Sequence, residues 1–272
     1  MNSTYVYLAL LFFIAAPCYT FCQDYANETY YEYAKTTLIE DANQIYYLGI
    51  GLVQVPFHLN STDLLYGFGM GAATSSLFLV DRGIKSLALQ NQSGFNDKVF
   101  KIDDYFNGST GTFAASGLYI GGFLFKQQKI RIMGLHALET LFISGAITEL
   151  FKYSFGRRRP YAGKSNMDFK AFRGSRGKYR AFPSGHTTNA FAFASVMAMS
   201  LDNTYWKAGW YSAATMVGVA RIYHNVHWIS DTFLAALISY NVADFVVNFN
   251  SQENNNFKLY PSFNGIQIRM YF

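Results

Sequence analysis

The chain has 272 residues, a length that suits one domain of moderate size. With 51% hydrophobic and 18% aromatic residues against 14% charged, it is neither a disordered nor a strongly solvated polypeptide. The net charge of +5 is local: ten of the 22 Lys and Arg, but only one of the 17 acidic residues, lie in 152–180, a compact field that suits an anionic substrate or membrane surface better than nucleic acid.

Residues 1–23 carry no charge and hold an apolar run from Val6 to Pro17, which predicts an export signal, with an uncleaved N-terminal anchor as the alternative. Cys18, a weaker candidate for lipid attachment, and Cys22 both lie here, so cleavage after Gln23 would leave no disulfide and no thiolate metal site. Residues 24–104 are expected to form an N-terminal helical region, with 24–63 as a short helix and loops. Asn60-Ser61-Thr62-Asp63 offers N-caps for an apolar helix from Leu64 to Val80, continued to about Gln90 by an amphipathic tail. Asn91–Asp104 reads as a loop or short helix.

A helical bundle is expected over 105–250. Tyr105–Phe125 is uncharged and glycine-rich, which lets helices approach closely, and a further helix follows from about Met133 to Tyr153. Residues 154–181 form a long basic loop, of a length that usually serves function. Helices follow at about 185–201, 206–222 and 229–249. The tail, 251–272, ends in an apolar–polar alternation from Ile266 that predicts a strand, able to form a hairpin through Phe263-Asn264-Gly265. The fold class is therefore all-α, a helical bundle with room for a short C-terminal β-hairpin. Most uncharged runs fall short of the ~20 residues a spanning helix needs. The helix at 133–153 is interrupted by His136, Glu139 and Glu149, and mean hydropathy is only +0.06. These features put a soluble or peripheral domain slightly ahead of an integral membrane one.

Short connections fold the last helices back and forth, so the end of the 133–153 helix, the start of the next, the end of the third and the start of the fourth share one pole of the bundle. Three motifs sit there. Lys152 and Arg159-Pro160 flank a glycine turn, and an arginine fork can grip two phosphate oxygens while lysine supplies a point charge. Pro183-Ser184-Gly185-His186 opens a helix whose free N–H groups, unobstructed at Gly185, make an oxyanion site. His227 and Asp231, four apart after Arg221, share a helix face, so the carboxylate can hold one imidazole nitrogen and aim the other outward. Each motif alone has a plainer explanation: a solvated loop, a capped helix start, a structural His–Asp pair. His224, His227 and Asp231 could also be metal ligands, but the crowded arginines oppose a cation. His58 and His136 are expected to be structural.

Together, Lys152-x6-Arg159-Pro160, Pro183-Ser184-Gly185-His186 and Arg221-x5-His227-x3-Asp231 closely resemble the type-2 phosphatidic acid phosphatase and vanadium haloperoxidase superfamily in order and spacing. One departure is Ala220, where the family usually has serine. The resemblance covers about 80 residues. It implies an all-helical core and metal-free, cofactor-free hydrolysis of phosphomonoesters through a phosphohistidine. His227 would attack, Asp231 would steady it and His186 would protonate the leaving oxygen. Lys152, Arg159, Ser184, Gly185 and Arg221 would hold the phosphate. Expected substrates are lipid or isoprenoid phosphates at a membrane surface in the periplasm or cell envelope. The alternatives are small soluble phosphoesters, vanadate-dependent halide oxidation, and a non-enzymatic envelope protein.

Overall fold

The computed structural model describes residues 30–57, 59–105, 108–163, 165–173, 177–252, 257–262 and 265–270. The expected export signal, both cysteines and His58 lie outside these residues. The described residues form α1 (Tyr30–Gln54), α2 (Ser61–Leu77), α3 (Asp81–Gln90), α4 (Gly94–Phe100), α5 (Ile102–Tyr105), α6 (Gly108–Leu124), α7 (Gln128–Phe155), α8 (Gly185–Met199), α9 (Thr204–Tyr223) and α10 (Ile229–Gln252), then an antiparallel hairpin of β1 (Phe257–Ser262) and β2 (Gly265–Met270).

The core is built around α8, which packs against α6, α7, α9 and α10. Its Ala192, Phe193, Ala194, Val196, Met197 and Ala198 are all buried, as expected of a helix with no polar face. Small polar groups tie this core together. Thr148 and Thr188 share a hydroxyl hydrogen bond of 2.8 Å, and the Ser239 hydroxyl donates to the Thr188 carbonyl at 2.9 Å, joining α7, α8 and α10. Gly134 gives α7 its close approach to α6: a Cβ there would lie 2.3 Å from the Tyr119 nitrogen.

Three departures from the sequence expectations have physical causes. Residues 30–54 form one 25-residue helix where a short one was expected. Its aromatic and polar residues show little periodicity, and it is held by tertiary bonds: buried Asp41 accepts from Arg131 of α7 and from the Tyr119 hydroxyl of α6, the latter at 2.7 Å. The expected continuous helix from Leu64 to Gln90 breaks at 78–80 and bends by 51°. Its predicted N-cap is present, with Asn60 and Asp63 forming a reciprocal capping box.

The third correction concerns solubility. Two helices, Gln128–Phe155 and Ile229–Phe249, are long and apolar enough to cross a membrane, and α2 with α3 forms a third candidate as one bent span. The preference for a soluble or peripheral domain is not supported. Counting uncharged runs stopped at His136 and Glu139, but both are buried inside the bundle, while Phe142 on the same helix is 79% exposed. Phe68, Phe113 and Leu65 are similarly bare. On α7, apolar Phe142 thus faces outward while His136 and Glu139 face inward, the arrangement a bilayer rewards.

Candidate active site

The 28-residue α7 ends at Gly156, which adopts the left-handed conformation (φ 56°) and caps the helix. A side chain there would lie 1.9 Å from the Lys170 carbonyl, so the loop closes directly over the helix end. That loop, expected as unstructured, contains two short 3-10 turns and an isolated bridge between Arg157 and Phe169. Its basic residues divide into two groups. Arg157 is fully buried, and Arg158 pairs with Asp168 at 2.9 Å, whereas Lys170, Arg173 and Lys178 are exposed.

Lys152, in the last turn of α7, is buried, and its ammonium comes within 2.9 Å of where a Cβ on Gly185 would stand. The first and second motifs therefore touch. Ser184 is the N-cap of α8 and fully buried. Its hydroxyl oxygen accepts from the Thr187 hydroxyl at 2.9 Å, which leaves its own proton to donate. Its backbone N–H donates to the Asp231 carbonyl at 3.1 Å, joining the second motif to the third.

His227 lies just before α10 and is buried. Its Nδ1 is 2.7 Å from the Ala181 carbonyl oxygen, and the Asp231 carboxylate stands at 3.6 Å. A carbonyl only accepts, so Nδ1 carries the proton and Nε2 of the neutral ring keeps a lone pair. His227 and Asp231 are neighbours but do not share a helix face, because His227 precedes α10, and the hydrogen-bond partner of the ring is a backbone carbonyl invisible to any motif. Asp231 itself accepts from the Trp228 backbone N–H at 2.7 Å and from Arg157 at 2.5 Å. Arg157 entered the sequence analysis only as one of many basic loop residues. Its position two before Arg159 carried no signal of burial.

The charges of Arg159, Arg221 and Lys152 all act on His227. Burial first, then those three cations, hold its ring well below the ordinary histidine range. His186 is pushed down to about 4 by burial, with Arg221, His227 and Lys152 adding to the effect and Asp103 opposing it. These surroundings favour the neutral form of both imidazoles at pH 7. Of the eight residues expected at the site, contacts join Lys152 to Gly185, Ser184 to Asp231 and Asp231 to His227. Arg159 and Arg221 lie close enough for their charges to act on His227, and Arg221 and His227 for theirs to act on His186.

Two of the cations hold carboxylates. Lys152 pairs with Glu149 at 2.7 Å, and Glu149 also pairs with Arg180. Arg221 donates to buried Asp103 at 2.7 Å. Among the described residues no acid pairs with Arg159, whose buried Nε has no partner. His224, weighed as a metal ligand, turns to the Phe100 carbonyl (3.1 Å) and Asp103 (3.4 Å), a different direction from His227.

Residues 134–255 match the family model described as the PAP2 superfamily. Over that stretch the chain is similar to the PAP2 superfamily. It is 25% identical over 248 residues, 90% of this chain, to a lipid A 1-phosphatase of Porphyromonas gingivalis, of which it covers 50%. It is 30% identical over 121 residues, 44% of the chain, to a lipid A 4'-phosphatase of the same organism, of which it covers 51%. The chain thus spans about half the length of these relatives. A crystal structure of Aquifex aeolicus LpxE is similar with a TM-score of 0.47 and 22% identity, covering 62% of this chain and 95% of that one. The PAP2 match includes all eight expected site residues, whereas Asp81 and Asp103, which bind site arginines, precede it.

Proposed function

We propose that the protein is a membrane-associated phosphatase that hydrolyses lipid phosphates through a phosphohistidine on His227, without a metal. The observation that carries this reading is the convergence of Lys152, Arg159 and Arg221 on an imidazole whose Nδ1 faces a carbonyl, leaving Nε2 as the nucleophile. Nε2 attacks phosphorus in line with the ester oxygen, and the P–O bond to the leaving group breaks. The cations, the Ser184 hydroxyl and the Gly185 N–H hold the equatorial oxygens as charge spreads over them. Asp231 offsets the positive charge that builds on the ring. His186 gives its proton to the leaving oxygen, then takes one from the water that attacks the phosphohistidine. A bound phosphate dianion places negative charge beside His186, raising it so that it enters the reaction protonated.

A lipid substrate is supported by an apolar cavity of about 670 Å³ next to the site, lined by Thr74, Phe78, Phe155, Phe182, Leu234 and Ile238. The named relatives are lipid A phosphatases, which makes a phosphorylated glycolipid the first substrate to try. The uncharged N-terminal segment favours export to the cell envelope.

The test is phosphate release by the detergent-purified chain from lipid A, phosphatidic acid, phosphatidylglycerophosphate, undecaprenyl diphosphate and p-nitrophenyl phosphate. The lipids should be preferred, vanadate should inhibit and EDTA should not. His227→Ala should lose about 100-fold or more in kcat. Near-normal turnover by that variant, or abolition by EDTA, would refute the mechanism. A preference for p-nitrophenyl phosphate would refute the lipid substrate.

A further inference from the structure

Arg157 is fully buried, and every one of its five N–H donors is used. Nε and one Nη2 hydrogen go to the Asn166 carbonyl at 2.9 and 2.7 Å, and the other Nη2 hydrogen goes to Asp81 at 2.6 Å. Nη1 donates to the Ser230 hydroxyl at 2.7 Å and to Asp231 at 2.5 Å. The Ser230 hydroxyl in turn donates to Asp81 at 2.8 Å. Phe78, Phe169, Phe182 and Trp228 surround the guanidinium, with ring centroids 4.5 to 5.8 Å away. Asp81 opens α3, outside the segment that matches the PAP2 domain.

The position of this cluster is what makes it more than a structural ion pair. One guanidinium bridges two fully buried carboxylates. Burying such charges is costly unless geometry and hydrogen bonds are complete, as they are here. The Asp231 end of the cluster lies 3.6 Å from the His227 ring. A histidine that becomes positive as it bonds phosphorus needs a fixed carboxylate at that place. Because Asp81 draws on the same guanidinium, Arg157 neutralises Asp231 only in part.

We propose that Asp81 and Arg157 are positioning residues for the phosphohistidine step, setting both the orientation of the Asp231 carboxylate and the negative charge it presents to His227. The proposal rests on His227 being the nucleophile, as inferred above. Asp81 touches neither substrate nor reacting atoms. Its loss lowers kcat and leaves phosphate binding alone.

The experiment compares wild type, Asp81→Asn and His227→Ala, purified in detergent, with p-nitrophenyl phosphate. Steady-state and stopped-flow nitrophenol release are followed, together with inhibition by vanadate. Asp81→Asn should lower kcat and the burst rate by about 10- to 100-fold, as a small misplacement at a reacting centre does, with KM and vanadate inhibition unchanged. Wild-type kcat in Asp81→Asn beside a dead His227→Ala overturns the proposal and leaves the phosphohistidine reading standing. A loss confined to KM and vanadate binding also overturns it. An active His227→Ala sinks both. Should Asp81→Asn fail to purify as a monodisperse protein, Ser230→Ala, which deletes only the hydroxyl between Asp81 and Arg157, carries the same test with the same outcomes.

Discussion

At Gly185 the absence of a side chain has a measurable purpose. A methyl group there would stand 2.9 Å from the Lys152 ammonium, which sits at the end of a flexible chain and would move aside. Gly185→Ala should therefore keep its thermal stability but bind vanadate about tenfold or more weakly, the size of one lost charge-assisted hydrogen bond. An inhibition curve beside a melting curve checks both halves. The histidines make a second prediction at this scale. His186 is held down to about 4 by burial, and His227 is depressed by burial too. Below about pH 6.5 the unfolded chain takes up protons that the folded rings refuse, so their contribution is whole above that pH and is lost as pH drops toward about 4, while Asp231, raised to about 6 by burial, acts in the opposite sense below about pH 6. The difference between the melting temperatures of wild type and His186→Gln in detergent isolates the histidine share. That difference should change between pH 6.5 and 4, and a constant difference would contradict the burial of this ring. Sequence motifs pointed to His186, His227 and Asp231 as candidates through residue type and spacing. They could not reveal that Ala181 supplies the carbonyl on His227, since a backbone acceptor leaves no trace in residue identity.

At the scale of elements, helix existence was well marked where caps and apolar runs agree. Asn60 and Asp63 cap α2, Asn203 caps α9, and Gly156 stops α7. The 30–54 helix was misjudged because what fixes it is remote: Asp41 meets Arg131, 90 residues away. The loop between α7 and α8 shows the same limit. Its length and charge mark it as functional, yet only the fold separates buried Arg157 from exposed Lys170 and Arg173. The apolar helices carry a prediction of their own. Outward-facing Phe142 on α7 and Phe68 on α2, 79% and 80% exposed, need a lipid surround. The chain should stay with membranes through alkaline carbonate extraction, and its release into the supernatant would count against spanning helices.

For the whole molecule, the N-terminal half is tied to the candidate site by buried ion pairs. Asp81 reaches Asp231 through Arg157, and Asp103 holds Arg221. Nothing in the sequence joins these acids to the motifs, because an isolated Asp followed by no recognisable spacing looks like any surface carboxylate. Residue types and spacing were enough to read the chemistry on offer and its place along the chain: a set of Lys, Arg, Ser, Gly and His suited to a phosphate, borne by helix ends that short connections bring to one pole. Only the tertiary structure decided which charges are buried and which partners they find. Burial and pairing depend on surfaces assembled from distant segments, and those surfaces convert a list of residues into a candidate site.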